Sequence, residues 1–230
     1  EKGDYWSSPG DCLKRYEAYF SNFSSGWFET SPVITSYLEE RKKRGKSTYV
    51  LDMAGGNSQV LRDLSELHLL DGGISTRLTD YRTEEQKEFD FSHNIYLAAG
   101  GLLQGSTWRE LAKTVHDCSG KDTIDFIIAR PLGALQPKDV NLEINPAVYG
   151  LFLERMLHMV SPDGGRILTQ VPKNIPKEDL KQYLKQLKRN PELKVKFDEN
   201  LVTDASIDGV MKLPRSKFDR GILMITRNVK

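Results

Sequence analysis

The most constraining feature of the sequence is a short apolar segment that runs into a loop of small residues and then into an amphipathic stretch. The apolar segment predicts a β-strand over residues 48–53, and the loop reads Ala54-Gly55-Gly56-Asn57-Ser58. Leucines and a valine then recur at helical spacing over residues 58–70. Small residues at the mouth of a strand let backbone N–H groups approach a ligand closely. The pattern therefore predicts the start of a nucleotide-binding βαβ unit.

Beyond this unit the chain alternates predicted strands and helices, which is typical of a parallel sheet with helices on both faces. Strands are predicted at 48–53, 76–79, 95–98, 124–129, 166–171, 193–197 and 221–226, and helices at 58–70, 107–116, 145–160 and 177–188. Thr107 and Glu110 have the spacing of a capping box. The segment between the last two strands has no helical periodicity, so we expect those strands to pair antiparallel.

The first 47 residues differ from the rest because they are rich in aromatic side chains. We interpret residues 1–47 as a helical extension and residues 48–230 as the main domain. Helices are predicted over about 11–22 and from Ser31-Pro32 to Arg44, with Ser31 as N-cap. The extension either covers the substrate pocket as a lid or packs its large aromatics onto the sheet edge. The candidates for a substrate-binding role are Tyr16, Phe20, Trp27 and Phe28.

The charge of the loop region indicates which ligand fits it. Asp52 stands two residues before the small-residue loop, where a carboxylate would repel phosphate but would suit a cationic, phosphate-free ligand. S-adenosylmethionine, which carries a sulfonium and an amino group, is such a ligand. The Walker pattern and a complete G-x-G-x-x-G after the first strand are absent, which argues against kinases and dehydrogenases. Asp80 follows Gly56 by 24 residues, near the interval for a ribose-binding carboxylate. The structural alternative for Asp80 is a turn or helix N-cap.

With these motifs, residues 48–227 resemble the class I, Rossmann-like, S-adenosylmethionine-dependent methyltransferases. The segment 52–58 is similar to the family's first motif, with Ala54 and Ser58 where glycine is frequent, and Asp80 matches its ribose-binding acid. The turn 161–165 before the fifth strand is also similar to the family pattern. The resemblance implies a doubly wound, mostly parallel seven-stranded sheet whose last strand is inserted antiparallel. It also implies methyl transfer from S-adenosylmethionine, with S-adenosylhomocysteine as product. The cofactor-binding residues that it implies are Asp52, Ala54, Gly55, Gly56, Asn57, Ser58, Asp80, Tyr81, Gly101, Leu102, Arg130 and Pro131.

Two loops depart from the family pattern. Gly101 and Leu102 stand where a Gly-Asp pair often holds the adenine amino group, so adenine would contact backbone, leucine side chains or an unidentified residue. The loop that begins Arg130-Pro131-Leu132 lacks the Asn/Asp-Pro-Pro pattern of adenine and glutamine N-methylation. Leu132 is assigned to the substrate side of this loop. Arg130 either holds an acidic group of substrate or cofactor or forms a structural ion pair.

Composition limits the remaining choices. A formal net charge of +1 gives no argument for nucleic acid or an anionic membrane as partner. The sequence has no apolar run long enough to span a membrane, and no metal-ligand spacing is present. Two distant cysteines fit a reducing compartment, so we expect a cytoplasmic protein. The acceptor (a small molecule, a protein or RNA) and the oligomeric state stay open. So do two alternatives: a catalytically inactive cofactor-binding or scaffold protein, and a nicotinamide-dependent oxidoreductase.

Overall fold

The computed structural model describes residues 10–20, 32–54, 57–130, 145–199 and 219–229 of the 230-residue chain. Within these ranges seven strands form one sheet, and seven helices pack against it. The strands are β1 (Tyr49–Met53), β2 (Gly72–Arg77), β3 (Ile95–Ala99), β4 (Phe126–Ala129), β5 (Arg166–Pro172), β6 (Leu193–Glu199) and β7 (Asp219–Arg227). The helices are α1 (Cys12–Phe20), α2 (Val33–Lys43), α3 (Gln59–Glu66), α4 (Glu84–Ser92), α5 (Gly105–Ser119), α6 (Pro146–Met159) and α7 (Lys177–Arg189).

The order of strands across the sheet is β3-β2-β1-β4-β5-β7-β6. Strands β1 to β5 pair in parallel, whereas β7 is antiparallel to both β5 and β6. The prediction of a mostly parallel seven-stranded sheet with an inserted antiparallel last strand is therefore confirmed. The strand order reverses between β1 and β4, and open α/β sheets bind ligands at the carboxyl ends of the strands at such a point.

Apolar side chains alternate between the two faces of the sheet, and each face has its own core. Leu51 and Met53 of β1 point into a core shared with α5, α6 and α7. Val50, on the opposite face of the strand, points into a second core shared with α1, α2 and α3. Helices pack on both faces, so the sheet is doubly wound, as predicted. Because side chains alternate along a strand, Asp52 lies on the same face as Val50.

The two N-terminal helices belong to the second of these cores. Tyr16 and Leu38 are fully buried there. The Glu17 carboxylate accepts hydrogen bonds from the first backbone amides of α2 at 2.6–3.1 Å, so one helix caps the next. The N-cap position of α2 is Pro32, which has no side-chain cap bond, and the predicted cap Ser31 lies outside the described residues.

The predicted position of β2 is wrong. The strand spans Gly72–Arg77 rather than 76–79, because Gly72 and Gly73, which look like a turn, are buried within it. A β-carbon on Gly72 would meet the Asn94 side chain and lie 3.0 Å from a ring carbon of Tyr49. These glycines permit close packing, and Asp80 consequently lies three residues beyond the strand instead of at its end.

The predicted capping box is also wrong, and one helix was not predicted. Helix α5 begins at Gly105, before Thr107, and its N-cap makes no side-chain bond. The capping box lies instead at Thr83 and Gln86, at the start of α4. Asp90 is the buried residue of α4. The helix therefore lacks the apolar stripe by which periodicity identifies a helix.

Candidate functional site

The candidate site lies where β1, β2 and β4 end at the switch point of the sheet. Met53 pairs with Thr76 on one side and with Ala129 on the other, so the three strands end at nearly the same level. The backbone N–H of Ala54 donates to Thr76 Oγ1 at 2.9 Å. This bond fixes the direction in which the chain leaves β1.

Two residues of the loop after β1, Ala54 and Ser58, have a backbone conformation that favours glycine. Ala54 and Ser58 both have φ of 62°, in the left-handed region that favours glycine. These are the two positions where the resembled family often has glycine. Gly55 and Gly56, between them, lie outside the described residues. Ala54 and Ser58 therefore adopt the backbone conformation that glycine favours, although neither is glycine.

Asp52 is buried beneath α1. The Tyr16 hydroxyl donates toward both carboxylate oxygens at 3.3 Å, and the Arg130 guanidinium lies 4.5 Å from the centre of the Tyr16 ring. Burial raises the pKa of the Asp52 carboxyl to about 7, against the opposing effects of Arg130 and of the Tyr16 hydrogen bond. Asp52, Tyr16 and Arg130, which were predicted on separate grounds, therefore meet in one buried cluster.

Asp80 lies in the exposed segment after β2, where it forms a bidentate ion pair with Arg82. Nε and Nη2 of Arg82 each donate to one carboxylate oxygen of Asp80 at 3.0 Å. These hydrogen bonds lower the pKa of Asp80 to about 2. Arg82 also donates to the buried Asp90, which Arg62 binds from the other side. Oδ2 of Asp80 accepts one of these bonds, so it retains one lone-pair direction for a ligand hydroxyl.

Arg77, which the sequence analysis missed, is the residue that ends β2. It follows Gly56 by 21 residues, closer than Asp80 to the interval expected for the ribose contact. Its guanidinium donates to the Asn57 side chain and lies 4.5 Å from the centre of the Tyr81 ring. Arg77 thereby brings together Asn57 and Tyr81, both predicted cofactor residues. A correct boundary for β2 would have identified it.

The loop after β3 contributes backbone and apolar side chains. Leu102 is buried, and its carbonyl accepts a hydrogen bond from Trp108 Nε1 at 2.7 Å. A β-carbon on Gly101 would lie 3.6 Å from Leu78, which is 73% exposed in the neighbouring loop after β2. Leu103 is 62% exposed. The exposed apolar surface at this edge therefore comes from Leu78, Leu103 and Tyr81 rather than from Leu102.

The predicted substrate-binding residues are only partly described. Tyr16 and Phe20 are both buried on α1, with their rings 6.2 Å apart. The hydroxyl of Tyr19, on the same helix, accepts a hydrogen bond from the Gln170 side chain of β5. This helix therefore covers the ends of β1 and β5. The residues Trp27, Phe28, Pro131 and Leu132 lie outside the described residues.

Two concave regions lie away from the candidate site. A groove of about 490 Å³ separates α6 from α7, and a cleft of about 250 Å³ lies at the opposite edge of the sheet. Neither is lined by a predicted cofactor residue. In the described part of the chain, no three His, Cys, Asp or Glu side chains are grouped to hold a metal ion. No described helix is long and apolar enough to cross a membrane.

Comparison with solved structures finds similarity along most of the chain. The chain is similar to the O-methyltransferase from Bacillus cereus in complex with SAH (12% identity, covering 94% of this chain and 87% of that one, TM-score 0.45). It is also similar to the plantazolicin methyltransferase BpumL in complex with SAH (13% identity, 95% and 86%, TM-score 0.49). A further similar structure is SAM-bound CalS10, an amino pentose methyltransferase from Micromonospora echinaspora (11% identity, 93% and 96%, TM-score 0.44). No family model and no curated protein matches the sequence. The strand order and pairing described above are those of a doubly wound, Rossmann-like fold.

Proposed function

We propose that this chain is an S-adenosylmethionine-dependent methyltransferase. The observation that carries the proposal is the position of Asp52 at the switch point of this sheet, next to Ala54 and Ser58, whose backbones lie in the left-handed region. A carboxylate at the end of β1 disfavours a phosphate and suits the ammonium and sulfonium of S-adenosylmethionine. The insertion of β7 antiparallel between β5 and β6 also supports the proposal, because the family resemblance implies such a last strand.

The residues of the site fit this cofactor. Backbone of the loop after β1 would approach its methionine part, and the remaining lone pair of Asp80 Oδ2 would accept a ribose hydroxyl. The exposed Leu78 and Tyr81 would offer apolar surface to adenine. When bound, the cofactor supplies an electrophilic methyl group. When this group is transferred, the electron pair of the broken C–S bond stays on sulfur.

The chain's own contribution to such a reaction is orientation and exclusion of water. Helix α1 covers the carboxyl end of β1, where Tyr16 rests on Asp52. Arg130 stacks against the same tyrosine and stands at the exit of β4. We infer that α1 and Arg130 position the acceptor nucleophile in line with the methyl group.

Arg77 favours a second candidate, a nicotinamide-dependent oxidoreductase. An arginine near the end of β2 can accommodate a ribose 2′-phosphate, as in NADP-binding sites. Asp52 opposes this candidate because its carboxylate stands next to the loop that would cradle the pyrophosphate.

A thermal-shift panel separates the two candidates. S-adenosylmethionine and S-adenosylhomocysteine should each raise the melting temperature, whereas NAD and NADPH should leave it unchanged. In the variant Arg77→Gln, S-adenosylhomocysteine should still raise the melting temperature but by less, because Arg77 holds Asn57 and Tyr81 together. A response to NADPH that disappears in Arg77→Gln, with none to S-adenosylhomocysteine, would replace the methyltransferase proposal by the oxidoreductase.

A further inference from the structure

A second concave site, here named the amino-edge cleft, lies at the edge of the sheet opposite the candidate cofactor site. It has a volume of about 250 Å³ and is formed by the end of α2, the turn before β5, and the end of β7. Its basic side chains are Arg41, Arg44, Lys46, Arg166 and Arg227. The lining also carries the carboxylates of Glu40 and Asp163, so five basic and two acidic side chains give it a formal charge of +3.

Three of these five cations have carboxylate partners. Arg44 pairs with Glu40 at 2.5 Å and Lys46 with Asp163 at 2.6 Å, both on the cleft lining. Arg41 pairs at 2.5 Å with Asp125, which lies outside the lining. These pairs leave the charges of Arg166 and Arg227 in excess.

Arg166 carries its charge in a desolvated place. Its guanidinium lies 4.1 Å from the centre of the Tyr37 ring, and its Nε donates to Thr226 Oγ1 at 3.3 Å. No carboxylate of the described residues lies within 4 Å of it. Burial lowers the pKa of Arg166, although Glu40 and Tyr37 oppose that effect. A bound anion would offset this cost.

Arg227 supplies an independent observation. Its Nη2 donates to the carbonyl of Leu157 at 2.6 Å, but its buried Nε has no hydrogen-bond partner among the described residues. Leaving a charged donor buried and unsatisfied costs more than an ordinary missing hydrogen bond. Arg227 therefore adds to Arg166 a second positive charge that no carboxylate of the described residues neutralises within 4 Å.

We propose that the amino-edge cleft binds the phosphate group of a small phosphorylated molecule, with Arg166 and Arg227 as its main ligands. Guanidinium groups match the geometry of phosphate oxygens, and the cleft volume admits a phosphate with a small organic group. A nucleic-acid backbone would need a broad basic face, whereas here the excess charge is confined to a cleft. The proposal is independent of methyl transfer at the other edge.

The test is calorimetric titration of the whole chain with inorganic phosphate and with pyrophosphate, at an ionic strength held constant with sodium chloride. We expect saturable binding that Arg166→Gln weakens at least about tenfold, the loss of a hydrogen bond to a charged group. The matched control is Lys185→Gln on the exposed face of α7, which removes the same charge and should leave affinity unchanged.

If Arg166→Gln does not fold, Arg44→Gln at the exposed rim of the cleft serves as a second variant. We expect it to weaken binding by a smaller factor. Equal affinity in Arg166→Gln and the wild type, or no saturable binding of either anion, would overturn the proposal. The proposal would also be overturned if the chain bound a single-stranded RNA oligonucleotide tightly but bound neither phosphate nor pyrophosphate.

Discussion

The carboxyl group of Asp52 shows how the surroundings of one residue set its chemistry. In an unfolded chain its pKa is about 3.9, whereas burial beneath Tyr16 raises it to about 7. The folded state therefore binds the proton more tightly between these two values. It follows that protonation of Asp52 stabilises the fold below about pH 4, and that this contribution is lost as the pH rises to about 7.

This direction of the change in stability with pH gives a prediction for Asp52→Asn, which keeps the shape of the side chain and removes its charge. Relative to the wild type, the variant should gain stability as the pH rises from 4 to 7, by at most about 1.4 kcal/mol per pH unit, and no further above 7. Urea denaturation at pH 5, 6 and 8 measures the difference. Asp117→Asn, on the exposed part of α5, is the matched control. A difference for Asp52→Asn that is constant across this range would contradict the assignment.

Sequence reasoning identified Asp52 and the loop after β1 because that signal is local: an acid, small residues and an amphipathic run follow one another. Asp80 and Arg77 illustrate what it could not resolve. Both residues have a suitable spacing from Gly56, and which of them stands at the ribose position depends on where β2 ends. That boundary is set by contacts of Gly72 with residues far along the chain.

At the scale of elements, β2 depends on two buried glycines. Gly72→Ala would place a β-carbon against Asn94 and 3.0 Å from both Cys118 Sγ and a ring carbon of Tyr49. We expect the free energy of unfolding to fall by about 1–3 kcal/mol, the usual cost of overpacking. Chemical denaturation measures it.

The matched control for this substitution is Gly105→Ala at the start of α5, where the nearest atom is the flexible end of Arg109 at 3.8 Å. It should leave stability unchanged or raise it by up to about 1 kcal/mol. Equal effects at the two glycines would show that close packing does not determine β2.

The joint between α1 and α2 gives a second prediction for an element. Glu17→Ala removes a carboxylate that accepts from the backbone amides of Val33, Ile34 and Thr35. We expect a loss of about 1–3 kcal/mol in the free energy of unfolding, because charged caps satisfy otherwise unpaired amides. Glu39→Ala, on the exposed face of α2, is the control and should change stability by less than about 0.5 kcal/mol. Similar losses in the two variants would exclude capping by Glu17.

Such joints explain which elements sequence analysis could identify. Helix α6 was predicted because Asn145 and Pro146 mark its start and its apolar residues are regular. The cap of α2 comes instead from a side chain 16 residues earlier, and α4 has no apolar stripe. Neither property is visible in a local window of sequence.

At the scale of the whole molecule, the alternation of strands and helices was sufficient to predict the class of fold. The switch point between β1 and β4, where the candidate site lies, became apparent only from the strand order of the structure. The alternation could not predict how α1 closes over that site, because the contact of Tyr16 with Asp52 joins residues 36 positions apart. Nor could it predict the amino-edge cleft, whose lining comes from three separate segments.

The central claim is that the carboxyl edge of this sheet binds the adenosyl cofactor. Calorimetric titration with S-adenosylhomocysteine tests it most directly, comparing the wild type with Asp80→Asn and with the control Asp117→Asn. We predict saturable one-to-one binding, weakened at least about tenfold by Asp80→Asn and unchanged by Asp117→Asn. No binding to the wild type, or equal affinity in all three proteins, would contradict the claim.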